Sequence, residues 1–333
     1  MRSKTFDTSD EAEDFEDALR RAKRTGVFVK KQSAETLRTF WTEYLHDYAT
    51  HDLEAATVDG HKRAWTKWIE PSLGHIPLAM LSSSPELIQQ LKLDMIEAGA
   101  GVPTQKRVLA VLSAICTKAV QLQRITSNPV IVIAKPKAKP PRPVQALSLA
   151  QVETLIGHFK TNNDRLLVAL IAYAGVRPGE ALALDSTEIG TKSLAVNRAL
   201  KLDGVGPTKT NSTRVVPVRD ELLPYLTDLS TGLLFLDESG KYWSPSKFRN
   251  WRIRQWQAAA VKAGLGEITK GEGKRSYVGP PPYHLRHTAA STWLYEGVDP
   301  IRVASWMGHS PAVLFKTYAH VIGEVTATTA RAT

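Results

Sequence analysis

The stretch Met307-Gly308-His309-Ser310-Pro311-Ala312-Val313-Leu314-Phe315-Lys316-Thr317-Tyr318 decides how this chain is read. Gly308 through Pro311 is a helix stop followed at once by a helix start. Glycine ends one helix, Ser310 caps the next, and Pro311 suits its first turn. His309 therefore lies at a break, and Tyr318 lies two turns into a final helix. Upstream stand Leu285-Arg286-His287-Thr288 and Ala174-Gly175-Val176-Arg177-Pro178-Gly179-Glu180. Two arginines, a histidine and a tyrosine suit attack on a phosphodiester. Guanidiniums neutralise non-bridging oxygens, and a tyrosine hydroxyl can become covalently linked to phosphorus.

Composition agrees with a nucleic-acid partner. The 333 residues suit two domains, and the balance is basic, with Lys+Arg 43 against Asp+Glu 33 and a net charge of +10. Cys116 is the one cysteine, so no intrachain disulfide can form and a cysteine-built metal site is excluded. No apolar run is long enough to cross a membrane, and Met1-Arg2-Ser3-Lys4 leads into acidic residues rather than a signal segment. A cytoplasmic protein is expected.

The apolar spacing predicts a mainly α protein with a small β-sheet, an α+β chain. Residues 1–30 read as a strand (Arg2–Phe6) and a helix (Glu11–Arg20), too little to bury a core. Residues 33–132 read as all-helical. Ser33 caps a helix carrying Leu37, Phe40, Trp41, Tyr44, Leu45 and Tyr48, and further helices run over 57–69, from Pro85 and from Thr104. Residues 133–145 include Lys135, Lys137, Lys139 and Arg142 among four prolines, an extended linker suited to lie along a duplex backbone. Residues 146–333 form the second domain. It contains helices from Ser148 or Leu149 and over 164–173, 178–184, 246–263, 284–296, 300–307 and 311–321, with a helical segment near Leu222. A β-hairpin pairs 193–197 with 214–218 through a turn at Gly204, Gly206 and Pro207. Residues 266–282 are Gly-, Lys- and Pro-rich and read as a loop.

Each candidate also has an ordinary reading. Arg177 in a turn can be a surface cap, though Glu180 could hold its guanidinium while leaving donors free for phosphate. Lys209 near the hairpin tip can be a plain surface charge, or can protonate a leaving 5′ hydroxyl if the tip enters a groove. His284, His287, His309 and His320 could suggest zinc, but no carboxylate or thiol has matching spacing and the arginines oppose a cation. No metal or cofactor is expected.

Taken together, Arg177, Lys209, Arg286, His309 and Tyr318, in that order, resemble the tyrosine recombinase (phage integrase) family. The resemblance implies a helical core-binding domain and a catalytic domain closing as a C-shaped clamp on DNA. It implies that Arg177 and Arg286 bind the scissile phosphate, Glu180 supports them, His309 and Lys209 assist, and Tyr318 is the nucleophile. The product is a 3′-phosphotyrosyl bond that conserves energy for religation, without a metal. The implied partners are double-stranded attachment sites, further copies of the chain (a dimer on a core site, a tetramer in synapsis) and a host DNA-bending factor. Phage or mobile-element integration is the expected activity. A type IB topoisomerase and a non-catalytic DNA-binding protein are the rivals. Lys62, Arg63, Lys106, Arg107 and Lys118 are candidate backbone contacts.

Two features depart from the family pattern. The second box is commonly His-X-X-Arg, but here it reads Tyr283-His284-Leu285-Arg286. Tyr283 takes the histidine's place, or His284 substitutes from one residue away. Residues 1–30 read as only the last strand and helix of an arm-binding domain, so either the protein starts further upstream, or the domain was lost or cut away. If it is absent, simple integration without arm-site bridging is expected.

Overall fold

The computed structural model describes residues 35–137, 146–208, 213–227, 229–271 and 274–332. The strand and helix expected within residues 1–30, the Ser33 cap, Lys139, Arg142 and Lys209 lie outside them. The chain divides into two compact units, Met1–Lys139 and Pro140–Thr333.

The first unit is helical. Thr36 caps α1 (Leu37–Glu43) by accepting from the Thr39 N–H, and a wider turn, Tyr44–Ala49, continues it. α2 (Ala55–Ala64) runs on through Trp65–Ile69 in the same way. α3 (Leu78–Ser83), α4 (Pro85–Glu97) and α5 (Val102–Gln121) follow, with shorter helical segments at Thr50–Asp52, Glu70–Leu73 and Pro129–Val132. α5 starts two residues before the expected Thr104, because Pro103 fits its first turn. The apolar stripes meet in one core. Phe40, Ile69, Ile88, Met95, Leu112 and Cys116 are each fully buried, and Trp41 stacks on Trp65 with ring centroids 4.6 Å apart. Burial pushes the Cys116 thiol up to about 12, so it is an inert core group.

The second unit surrounds a central helix. α6 (Leu149–Gly157) opens with a capping box between Ser148 and Gln151. α7 (Asn162–Tyr173) has every residue from Leu166 to Tyr173 buried, as a helix covered on all sides must. α8 (Pro178–Ala181) follows the bend at Gly175. The expected single hairpin is two antiparallel pairs. β1 (Ser193–Val196) pairs with β4 (Arg214–Pro217), and β2 (Arg198–Lys201) with β3 (Gly204–Pro207). Lys201 faces Gly204, so the tight turn is Leu202-Asp203, and the glycines expected in the turn lie in β3. The helical segment near Leu222 is a 3₁₀ stretch, Asp220–Tyr225. α9 (Pro245–Trp251) continues through Arg252–Trp256 into α10 (Gln257–Lys262).

The loop expected over 266–282 is instead largely a hairpin, β5 (Glu267–Gly271) with β6 (Lys274–Val278). Its described side chains are exposed or half-exposed, so no apolar alternation marks it in the sequence. α11 (His284–Tyr295), α12 (Pro300–Met307) and α13 (Pro311–Ala332) close the chain. α7 and α11 pack together, and α13 packs on both α11 and α12. No helix among the described residues is long and apolar enough to cross a membrane.

Candidate active site

Four segments deliver the polar cluster of the second unit. The first is the bend before α8. Arg177 is the N-cap residue there, and its backbone N–H donates to Glu180 Oε2 at 2.7 Å while its Nη1 donates to Glu180 Oε1 at 2.7 Å. Pro178 presets the helical φ, so Arg177 and Glu180 are one turn apart and face the same way.

The second segment is β4, which brings Arg214. Its Nη1 and Nη2 donate to the two Glu180 oxygens at 2.9 and 2.5 Å, and its Nε donates to the Trp306 carbonyl at 2.7 Å. Glu180 is 2% exposed and so sits between two guanidiniums. Burial pushes its carboxyl up, but the bonds and charges of Arg214 and then Arg177 outweigh this and hold it at about 2.

The third segment is the first turn of α11, which carries Arg286. This side chain is fully buried. Nη1 donates to the Gly175 carbonyl, Nη2 to the Met307 carbonyl, and Nη2 also lies 3.1 Å from His309 Nε2. Nε is buried without a partner among the described residues. Burial, and then the Arg177 charge, lower its pKa to about 10, so it stays charged at neutral pH.

Two glycines make these bonds possible. Gly175 has φ +58°, and a Cβ there would come within 3.0 Å of Trp293. Gly308 ends α12 with φ +58°, and its carbonyl accepts from Arg177 Nη2 at 3.0 Å.

The fourth segment is the α12–α13 break. His309 takes the Arg286 hydrogen bond on Nε2, so its proton is on Nδ1, which is buried without a partner among the described residues. Burial and the charges of Arg286 and Arg177 lower it to about 4, and it is neutral at pH 7. Leu314, Tyr318 and Val321 form the buried stripe of α13. Tyr318 has φ −116° and ψ 19°, outside the helical region, so the helix breaks at this residue. Its ring is 1% exposed, and its hydroxyl lies 2.8 Å from His287 Nδ1, next in sequence to Arg286. The Arg286 charge reaches this hydroxyl, which puts it at the edge of the arginine cluster. Burial raises its pKa, and the Arg286 charge opposes that.

The sequence model of the phage integrase family matches residues 145–324, more than half of the chain. The chain belongs to the phage integrase family. Tyrosine recombinase XerC of Mycobacterium leprae is 25% identical over 237 residues, covering 67% of this chain and 74% of that protein. Tyrosine recombinase XerD of Staphylococcus epidermidis is 24% identical, covering 71% and 78%. Among solved structures, the Tn1549 transposon integrase in complex with transposon right end DNA superposes with a TM-score of 0.69 at 17% identity, covering 89% of this chain and 99% of that one. A lambda integrase dimer bound to a COC′ core site gives 0.66 at 18%, covering 85% and 95%. As a tyrosine recombinase, the chain is a DNA strand-transferring enzyme.

Within this phage integrase family member, the structure gathers Arg177, Glu180, Arg286, His309 and Tyr318 in one place. Tyr283 is 39% exposed at the entry to α11, with its ring edge-on to His287 at 5.4 Å. The His284 ring lies 6.2 Å from His287. Among the described residues, no group of three or more histidine, cysteine or acidic side chains converges as a metal site would require. In the first unit, Lys62, Arg63, Lys106 and Arg107 are exposed, as are Lys135 and Lys137. Arg63 is paired with Asp59, and Lys118 lies 3.8 Å over the Tyr48 ring. Sequence reasoning missed Arg214 and weighed His287 only as a metal ligand. Arg214 sits in an ordinary strand pattern. His287 did carry a signal, since it is four residues beyond Tyr283 on a helix and adjacent to Arg286.

Proposed function

We propose that the protein is a site-specific integrase of phage or mobile-element DNA that cleaves and rejoins strands through a 3′-phosphotyrosyl bond at Tyr318. The placing of the Tyr318 hydroxyl on His287, within the field of Arg286 and so beside the Arg177–Arg286–His309 cluster, carries this reading. Arg177 is the most open of the three guanidiniums, with 31% of its side chain exposed against 8% for Arg214 and 0% for Arg286. It meets the incoming phosphate first. Arg286 Nε, a buried donor without an acceptor among the described residues, gains one when a phosphate oxygen enters. Leaving such a donor unmet costs about 1–3 kcal/mol, so the site favours the bound state. Fixed cations then offset the charge on the phosphate oxygens without reorganising during the reaction.

Lys209 protonates the leaving 5′ oxygen, and Tyr283 or His284 lines the approach. Lys62, Arg63, Lys106, Arg107, Lys118 and the basic linker follow the duplex backbone. The integrase works in the cytoplasm on double-stranded attachment sites, with two copies on a core site and four in synapsis, aided by a host bending factor. The DNA-bound transposon and lambda integrases support this assembly and the integrative reading, while the XerC and XerD relatives mark resolution of one molecule as the competing use of the same chemistry.

A duplex nicked beside the cleavage position traps the covalent intermediate. An adduct that forms with the unaltered chain and vanishes in Tyr318→Phe is the expected result. No adduct, or one indifferent to that substitution, removes the reading. Joining of two separate DNA molecules at a mapped site distinguishes integration from resolution, and relaxation of any supercoiled plasmid points to a topoisomerase.

A further inference from the structure

A tyrosine that attacks phosphorus must lose its hydroxyl proton, and the geometry identifies an acceptor. Tyr318 Oη lies 2.8 Å from His287 Nδ1, within direct proton-transfer reach. The two rings are 5.8 Å apart and tilted, one projecting from α11 and the other from the break in α13. His309 is turned elsewhere, because its Nε2 takes the Arg286 hydrogen bond and its Nδ1 bears the proton. Tyr283 offers only a phenol, a poor base near neutral pH. His287 stands one helical turn beyond Tyr283 and so brings an imidazole to the same side of α11.

We infer that His287 is a catalytic residue, the general base that removes the Tyr318 proton. This rests on the reading of Tyr318 as nucleophile. In the forward step the Oη–H bond breaks and its proton passes to the Nδ1 lone pair. An Oη electron pair forms the bond to phosphorus. The bond from phosphorus to the 5′ oxygen breaks, and that oxygen leaves with the electron pair and takes a proton from a separate acid, the part proposed for Lys209. In the return step an incoming 5′ hydroxyl attacks and gives its proton back to that acid, and the His287 imidazolium reprotonates the departing tyrosine oxygen.

For Nδ1 to accept, the neutral ring keeps its proton on Nε2. The groups facing the ring are Tyr283, His284 and Arg286 from its own helix and helix entry, Tyr318 from α13, and His309 from the break before it. Burial, followed by the His284 and Arg286 charges, lowers His287 to about 4. It is therefore unprotonated and free to accept at neutral pH. An entering phosphate adds negative charge beside these cations and strengthens the base.

Single-turnover cleavage of a nicked duplex tests this, using the full chain and two substrates: the natural one, and one with sulfur replacing the bridging 5′ oxygen. A thiolate leaves without protonation, so the second substrate bypasses the acid and isolates proton removal. His287→Asn keeps an acceptor near Nδ1 but cannot take a proton. Its cleavage is expected to fall about 100-fold or more on both substrates, with a rate that climbs about tenfold per pH unit as hydroxide replaces the base. Duplex affinity and the urea midpoint report whether the variant is folded.

A folded His287→Asn within about threefold of the unaltered rate overturns the assignment. So does a loss without the pH slope, which marks a positioning role, and so does a loss cured by sulfur, which marks an acid. The unaltered chain decides the matter even if the variant fails to fold. Its rate on the sulfur substrate is expected to be level across neutral pH and to fall only on the acid side, and a steady climb through neutrality overturns the proposal. Absence of any Tyr318-dependent adduct sinks the nucleophile reading itself, whereas a normal adduct with unchanged His287→Asn kinetics sinks only the base.

Discussion

Arg214 grips both oxygens of Glu180, at 2.9 and 2.5 Å, from a strand 34 positions away in sequence. The same carboxylate holds Arg177, and Arg286 Nη1 lies 3.9 Å from it. One buried anion therefore spaces three cations that would otherwise repel one another. Removing Arg214 leaves that anion short of a partner. Arg214→Ala should cost about 3–5 kcal/mol, the usual penalty for breaking a buried pair, and should lower the urea midpoint accordingly. An unchanged midpoint contradicts the account.

The same pair gives stability a pH window. Glu180 is held at about 2 against an ordinary 4.5. Its folded pKa is depressed, so its contribution is complete above about 4.5 and is lost as pH falls toward about 2. The size is roughly 3 kcal/mol. Urea titrations of the unaltered chain and Glu180→Gln, run between neutral and acid pH, should converge as the pH drops. Parallel curves would exclude Glu180 as the source.

Gly175→Ala should destabilise by about 1–2 kcal/mol for the left-handed backbone alone, with more from crowding against Trp293 and Met307. Because the Gly175 carbonyl accepts from Arg286, cleavage should fall beyond what the stability loss explains. Thermal melts alongside adduct formation separate the two effects.

Arg286→Lys keeps a charge but cannot span the Gly175 and Met307 carbonyls while also presenting a donor to phosphate. Single-turnover cleavage should drop roughly 100- to 1,000-fold, while duplex binding changes little. Near-normal cleavage would show that the forked geometry is dispensable.

Lys62→Ala and Lys106→Ala should each weaken duplex binding about equally on all sequences. Each should also reduce the slope of log affinity against log salt by about one. Anisotropy titrations over a range of salt read both. A sequence-selective loss would instead mark a base contact.

The sequence by itself determined the helical periodicities, the His309 break and the Arg177, Arg286 and Tyr318 positions, because spacing, caps and turn residues are local properties. It misread 266–282, where an exposed hairpin leaves no apolar alternation, and it placed the hairpin turn at β3 glycines. It could not reveal that Arg214 holds Glu180 or that His287 meets Tyr318. Those contacts join β4 to α8 and α11 to α13. Only the packing of buried stripes around α7 brings such distant segments within hydrogen-bond reach, and no local preference of the residues encodes that distance.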